Sequence, residues 1–182
     1  MENLKRNYQP FIFACILIVV AAITRFIPHP FNFTAIGAMA LFSGANFKDK
    51  RYAFLLPIIT MLLTDLYFGF HFSIVPVYLC FAFTVWMGIR ISRNQKPFVI
   101  ASASVISSFV FFLITNLPVW YADLSLYPIT IKGTLQSYNM AIPFFSNQII
   151  GDLFYNTILF SVYHLVLKNR NNIIVNNSNL EL

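Results

Sequence analysis

The chain contains few charged residues, and this scarcity excludes a soluble globular protein. Of its 182 residues only 10% are charged and 58% are hydrophobic, with a mean hydropathy of +0.71. A soluble domain usually carries about 25% charged residues. Twelve bases and six acids are too few to coat a soluble particle of this size, so most of the surface is expected to face lipid. At about 20 residues per span, the length suits one domain of about six membrane helices.

Several motifs with a definite chemistry are also missing. The two cysteines, Cys15 and Cys80, lie in separate apolar runs and form neither a disulfide framework nor a C-x-x-C metal pair. No Walker-type phosphate loop, H-E-x-x-H motif or G-x-S-x-G motif occurs, which argues against ATP hydrolysis by this chain and against proteolysis. The net charge is +6, but the bases lie between apolar runs, so no nucleic-acid partner is expected.

Six apolar runs predict an all-α membrane protein with six transmembrane helices. The predicted spans cover residues 10–27, 33–47, 53–68, 74–91, 98–117 and 145–167. A long connection, residues 118–143, precedes the last span and carries Trp and Tyr residues suited to the membrane interface. We expect a single transmembrane domain over residues 1–168, followed by a disordered, Asn-rich cytoplasmic tail over residues 169–182.

The basic residues between the runs predict the orientation. If the N-terminus is cytoplasmic, 10 of the 12 Lys and Arg residues lie inside, and only Arg25 and Lys132 lie outside. Cytoplasmic loops of membrane proteins carry such an excess of Lys and Arg. Both termini are therefore expected inside. Leaving out the short second span, residues 33–47, would invert every later loop and remove the bias.

With this topology, the polar residues of the spans collect toward the outer side. A charge within the bilayer costs ~3 kcal/mol or more on insertion scales, so such groups face a cavity or a partner. One interpretation is a structural Arg25–Asp65 pair that fastens two helices, and the other is an outward-facing binding site. Four spans placing polar groups at a similar depth favour the site. The outer polar residues are Arg25, His29, Asp65, His71, Cys80, Asp123 and Asp152.

Small residues at helical spacing form a smooth face in the second predicted span. Gly37, Ala40 and Gly44 lie one turn apart, and such spacing allows two helices to approach closely. Two interpretations stay open, internal packing and a docking face for a partner protein. Cys80, taken alone, is more often a small apolar filler than a functional group.

Residues 25–34, with the sequence RFIPHPFNFT, and residues 36–42, IGAMALF, resemble a bacterial membrane family related to the substrate-binding S-components of energy-coupling-factor vitamin transporters. The LTD stretch at 63–65, the GFH stretch at 69–71 and residues 77–86 resemble its next two segments, and the second half is similar only in layout. The resemblance implies an S-component-like six-helix bundle in the bacterial cytoplasmic membrane, with both termini inside.

Within this group the chain is most similar to the solitary cobalamin transporters of the BtuM type. In those proteins a cysteine in the fourth-span region is an axial ligand of the corrin cobalt, and Cys80 is the matching position. A soft thiolate suits cobalt. The resemblance implies that His29 and Asp65 also belong to the substrate site, and we add Asn32 and Tyr78 from the matching segments. No intrinsic cofactor is expected, since cobalamin would be the ligand.

Several functions remain open. The first is an uptake protein that binds cobalamin, a related corrinoid or another vitamin-type molecule from the outer side, with Cys80 as candidate cobalt ligand. It would act alone or docked on a shared energy-coupling-factor ATPase module. The second is a membrane enzyme in which Cys80 assists decyanation of cyanocobalamin. The third is a structural membrane protein whose polar groups only pair.

Overall fold

The computed structural model describes the fold from the end of the first predicted span almost to the C-terminus. The described residues are 12, 15, 16, 19, 20, 23–69, 73–120 and 126–180, with side chains as far as residue 166 except those of Arg25 and Phe68. Within this part the chain is helical and has no strand, so the predicted all-α class is confirmed. The helices are α1 (Ile36–Asn46), α2 (Lys50–Phe68), α3 (Ile74–Ile91), α4 (Pro97–Thr115) and α5 (Ile131–Leu180), preceded by a 3₁₀ turn (Thr24–Phe26).

Local sequence explains where these helices begin and end. The Asp49 carboxylate accepts a 2.9 Å hydrogen bond from the Arg51 backbone N–H and so caps the first turn of α2. That helix ends at Gly69, whose φ of 94° is a conformation that other residues rarely adopt. Pro97 opens α4 at a position where its missing N–H removes no helical hydrogen bond.

The short helix α1 is the centre of the bundle. Its residues from Ala38 to Phe42 are fully buried, and it contacts all four other helices, α3 most extensively. The Lys50 ammonium closes its C-terminal end by donating to the carbonyls of Gly44 (3.2 Å) and Phe47 (2.7 Å). A helix buried on every side shows no amphipathic pattern, and the sequence of α1 is accordingly apolar on all faces.

Two glycines set the distance between α1 and α3. A Cβ added to Gly44 would overlap the carbonyl oxygen of Val85, and one added to Gly88 would overlap the carbonyl oxygen of Leu41. The two backbones therefore touch at this crossing, with no room for a side chain on either helix. Close approach of this kind is the usual role of small residues between membrane helices.

Three helices are long and apolar enough to cross a membrane: α3, α4 and the Ile131–Val166 part of α5. Large apolar side chains project from their outer faces, among them Leu79, Phe98 and Ile150, which are 60–82% exposed. A protein surrounded by water does not present apolar surface on this scale. The chain is a membrane protein.

Two predicted boundaries in the last third of the chain are wrong. The connection predicted over residues 118–143 ends earlier, because α5 begins at Ile131. Gly133 and Pro143 suggested a loop, but the Gly133 N–H donates to the Thr130 hydroxyl (3.1 Å) and so belongs to a capped first turn. Pro143 removes a single hydrogen-bond donor from a helix that continues on both sides.

The C-terminal stretch differs from its prediction as well. Residues 169–180, predicted to be disordered, continue α5 as helix to Leu180. No Gly or Pro follows Gly151 to end the helix. Once a helix has formed, each further residue adds one hydrogen bond without a new nucleation cost, so a polar sequence can extend it.

Candidate substrate cavity

A cavity of about 430 Å³ lies at one end of the bundle. Its wall is built by the segment before α1, the first turn of α1, the second half of α2, the first halves of α3 and α5, the last turn of α4 and residues 126–127. Six of the twelve bases lie in or beside the loops between α1 and α2 and between α3 and α4, and these loops are at the opposite ends of the helices. The cavity and the basic loops are therefore at opposite ends of the bundle.

Phenylalanine rings form the apolar part of the wall. Phe81 of α3 meets Phe111 of α4 with ring centroids 5.6 Å apart, and Phe112 stacks on Phe145 of α5 at 4.5 Å. Phe144 adds a further ring from α5. Such pairs gain stability beyond simple burial.

Amide and hydroxyl groups form the polar part of the wall. The Ser137 hydroxyl donates to the Asn116 carbonyl (2.8 Å) and ties α5 to the end of α4. The Asn116 side chain in turn donates to the Phe112 carbonyl (2.8 Å). Asn32 borders the cavity from the segment before α1, where its φ of 63° is a left-handed conformation that Asn tolerates.

Asp152 brings a carboxyl group to the cavity from the middle of α5. Its side chain is 5% exposed and accepts a 2.8 Å hydrogen bond from the Ser108 hydroxyl of α4. The backbone N–H of Ala38 and the side chain of Gln148 also interact with this carboxyl group. A Cβ on Gly37 would collide with it, so the glycine makes the space that Asp152 occupies beside the N-terminal turn of α1.

The structure separates the other predicted site residues from this cavity. The Tyr78 hydroxyl donates to the Asp65 carboxylate (3.1 Å), and this partly buried pair links α3 to α2 away from the cavity wall. Cys80 is 1% exposed and does not line the cavity, although Val77 and Phe81 on the same helix do. Of the predicted substrate-binding residues, Asn32 and Asp152 are the two brought together on the wall.

Several predicted site residues lie in or beside parts that the structure leaves out. The side chain of Arg25, and the whole of His71 and Asp123, are outside the described residues, so the predicted Arg25–Asp65 pair is outside them too. His29 is half-buried, and its Nε2 has no hydrogen-bond partner. Among the described residues no group of three or more His, Cys, Asp or Glu side chains is arranged to hold a metal ion.

The small-residue face is packed inside the bundle. Ala40 is fully buried, Gly44 lies against Val85, and Gly37 lies against Asp152. These contacts favour the internal-packing interpretation. Docking of a partner on this face stays a prediction, and it would require α1 to separate from its neighbours.

The sequence matches one protein family over residues 5–174, described as a family of unknown function, DUF6580. The chain belongs to this family. Neither the curated proteins nor the solved structures contain a match. Membership of DUF6580 therefore assigns no substrate.

Most wall residues were not predicted, although one signal for them exists in the sequence. Ala141, Phe145, Gln148 and Asp152 are spaced by four, three and four residues, the spacing of one helix face. The loop predicted over residues 118–143 interrupted that stripe and concealed it. Ser108 had no comparable signal, because a serine in an apolar helix most often bonds its own backbone.

Proposed function

We propose that this protein is an uptake protein that binds a small vitamin-type molecule in the cavity between α1, α3, α4 and α5. The observation that carries the proposal is the cavity itself, whose wall combines phenylalanine rings with amide, hydroxyl and carboxyl groups. Sites for small molecules are typically concavities of roughly 300–1,000 Å³ with apolar walls and a few placed polar groups. A volume of about 430 Å³ suits a ligand at the small end of that range.

The charge distribution supports an outward-facing site. The bases at the end opposite the cavity fit the cytoplasmic side, since Lys and Arg are enriched there. We propose the six-span arrangement in the bacterial cytoplasmic membrane, in which the N-terminal run, α1 and α2 join the three long apolar helices and both termini are inside. The bases in question are Lys48, Lys50, Arg51, Arg90, Arg93 and Lys96.

The cavity favours a ligand smaller than a corrinoid. A corrin ring with its amide side chains and nucleotide loop exceeds the drug-sized ligands that a cavity of this volume encloses. Cobalamin binding, and likewise decyanation at Cys80, would need the cavity to widen until that thiol reaches it. The S-component resemblance therefore supports vitamin uptake in general, and an ATPase module remains its predicted partner.

A cavity-filling substitution tests the proposal. Ala141 is buried on the cavity wall, and the adjacent Ile142 is 51% exposed on the outer face of α5. Purified wild-type protein is screened for thermal stabilisation by water-soluble vitamins and their precursors, cyanocobalamin included. A ligand at 100 times its Kd stabilises the folded state by about 2.7 kcal/mol.

Ala141→Phe should abolish the stabilisation because its ring occupies the ligand's place, whereas Ile142→Phe should retain it. If both variants respond like wild type, the ligand binds elsewhere and the cavity is not the site. If no compound stabilises the wild-type protein, the result favours the alternative of a structural membrane protein whose polar groups only pair.

A further inference from the structure

The cavity wall carries one acidic side chain and no base. Among the described lining residues, Asp152 is the one Asp or Glu, and none is a Lys, Arg or His. Lys132, the nearest base along α5, is exposed and does not line the cavity. An anionic ligand would therefore lose its hydration and meet a carboxyl group instead of a base, which is unfavourable.

Among the residues that the structure describes, the Asp152 carboxyl group has dipoles around it and no cation. Its partners are the Ser108 hydroxyl, the Ala38 N–H at the beginning of α1 and the Gln148 side chain. Hydrogen-bond donors and a helix N-terminus compensate part of the cost of burying a carboxylate. They add no positive charge, and a charged group within a membrane bundle is usually paired.

The described neighbouring elements do not supply that charge. Helices α1 and α4 pack against α5, and neither of them contains a titratable side chain. The segment before α1, which also contacts α5, carries His29, and Tyr127 borders the same cavity. Neither residue is a partner of the Asp152 carboxyl group.

The rings on the wall suit the same kind of ligand. A cation is attracted to the face of an aromatic ring, most strongly where water is excluded. Phe81, Phe111, Phe112, Phe144 and Phe145 surround the space that Asp152 borders. A flat apolar body could stack on these rings while its charged end approaches the carboxylate.

We infer that the ligand of this cavity is an organic cation with a flat, apolar body, and that Asp152 receives its positive charge. The inference rests on the proposed function and names its substrate class. It separates this chemistry from vitamins recognised through carboxylate or phosphate groups, which Arg and Lys side chains commonly bind.

Three probes of similar shape and different charge test the inference on the full chain in lipid nanodiscs. They are the permanent cation N-methyl-4-phenylpyridinium, the uncharged 4-phenylpyridine and the anion biphenyl-4-carboxylate, compared by calorimetric titration at neutral pH. The cation should bind at least about tenfold more tightly than the uncharged probe, since a desolvated charge pair is gained. The anion should bind most weakly.

Asp152→Asn should reduce the affinity for the cation by about tenfold or more and leave the affinity for 4-phenylpyridine unchanged. Asp152→Glu, which keeps the charge, should retain the preference. Asp49→Asn is the matched control, because it removes one negative charge at the opposite end of the bundle while Asn preserves the helix cap. Unchanged binding of the uncharged probe also shows that each variant is folded.

Equal binding of the cation and the uncharged probe by wild-type protein would overturn the inference. An unaltered cation affinity in Asp152→Asn would do the same, as would a preference for the anion or no binding of the cation. Ala141→Phe separates this failure from failure of the proposed function. If it blocks both probes while no charge preference exists, the cavity still binds small molecules and only the substrate class is wrong.

Discussion

The contact between α1 and α3 makes a quantitative prediction for Gly44. In the structure a Cβ at this position overlaps the carbonyl oxygen of Val85 and lies 3.0 Å from the Ile89 nitrogen. Both obstacles are backbone atoms within a helix, so they cannot turn aside as a flexible side chain would. Gly44→Ala must therefore push the two helices apart.

Two opposing effects decide the size of the change. Overpacking a well-packed core costs typically 1–3 kcal/mol, and a rigid backbone obstacle places this site at the upper end, about 3 kcal/mol. Alanine in place of glycine favours the helix by about 1 kcal/mol. The free energy of unfolding should fall by about 2 kcal/mol. Gly151→Ala is a graded control, since its Cβ would lie 3.1 Å from the Phe33 Cα and the smaller overlap predicts a smaller loss.

Gly88 provides a second, coupled test, because its Cβ would overlap the Leu41 carbonyl at the same crossing. Once Gly44→Ala has separated the helices, adding Gly88→Ala should cost less than it does alone, so the double variant should lose less stability than the sum of the singles. Unfolding is followed in detergent by circular dichroism during denaturant titration. Unchanged stability in Gly44→Ala would refute the packing argument, and lost transport with intact stability would instead support docking of a partner on this face.

Three further outcomes are expected. After Gln95→Cys, the new thiol should react with a membrane-impermeant reagent only from inside, and after Thr130→Cys only from outside. Labelling of both thiols from the same side would contradict the six-span arrangement. Cys80→Ser and Cys15→Ser should both leave the affinity for the cavity ligand unchanged, because Cys80 does not line the cavity. An altered spectrum of a bound corrinoid in Cys80→Ser alone would instead support ligation of the cobalt by Cys80. Gly37→Ala should weaken cation binding about tenfold by displacing the Asp152 carboxyl group, measured by calorimetry.

The sequence predicts the helices well wherever polar residues, Gly or Pro clearly bound an apolar run. The run predicted over residues 74–91 is helix α3 with the same bounds, and the run over residues 98–117 is α4 with ends shifted by one or two residues. The beginning of α5 is different. Gly133 and Pro143 disfavour a helix locally, but Ser137 between them bonds the end of α4, and tertiary contacts of this kind override local preferences.

Some residues of the candidate site could be predicted from the sequence and others could not, again for physical reasons. Asp152 could be predicted because a carboxyl group within a span is costly and needs a reason to be there. The aromatic wall could not be predicted, because Phe occurs both on lipid-facing surfaces and inside helix bundles, and the chain has 21 Phe residues. The role of Cys80 stays a prediction, since a resemblance in the segment around it says little about whether the thiol faces a cavity.

Asp152 also holds the helices together, and this second role affects how its substitution must be interpreted. The hydrophobic effect does not drive association of helices in lipid, so the Ser108–Asp152 bond and the Asn156–Ser104 bond (3.0 Å) one turn farther along help to fix α4 against α5. Asparagine still offers Ser108 a carbonyl oxygen as acceptor, while it lacks the charge and has an NH2 group in place of the second oxygen. A loss of cation binding in Asp152→Asn with the α4–α5 contact preserved therefore reports on the charge, whereas Asp152→Leu would remove both roles and could not distinguish them.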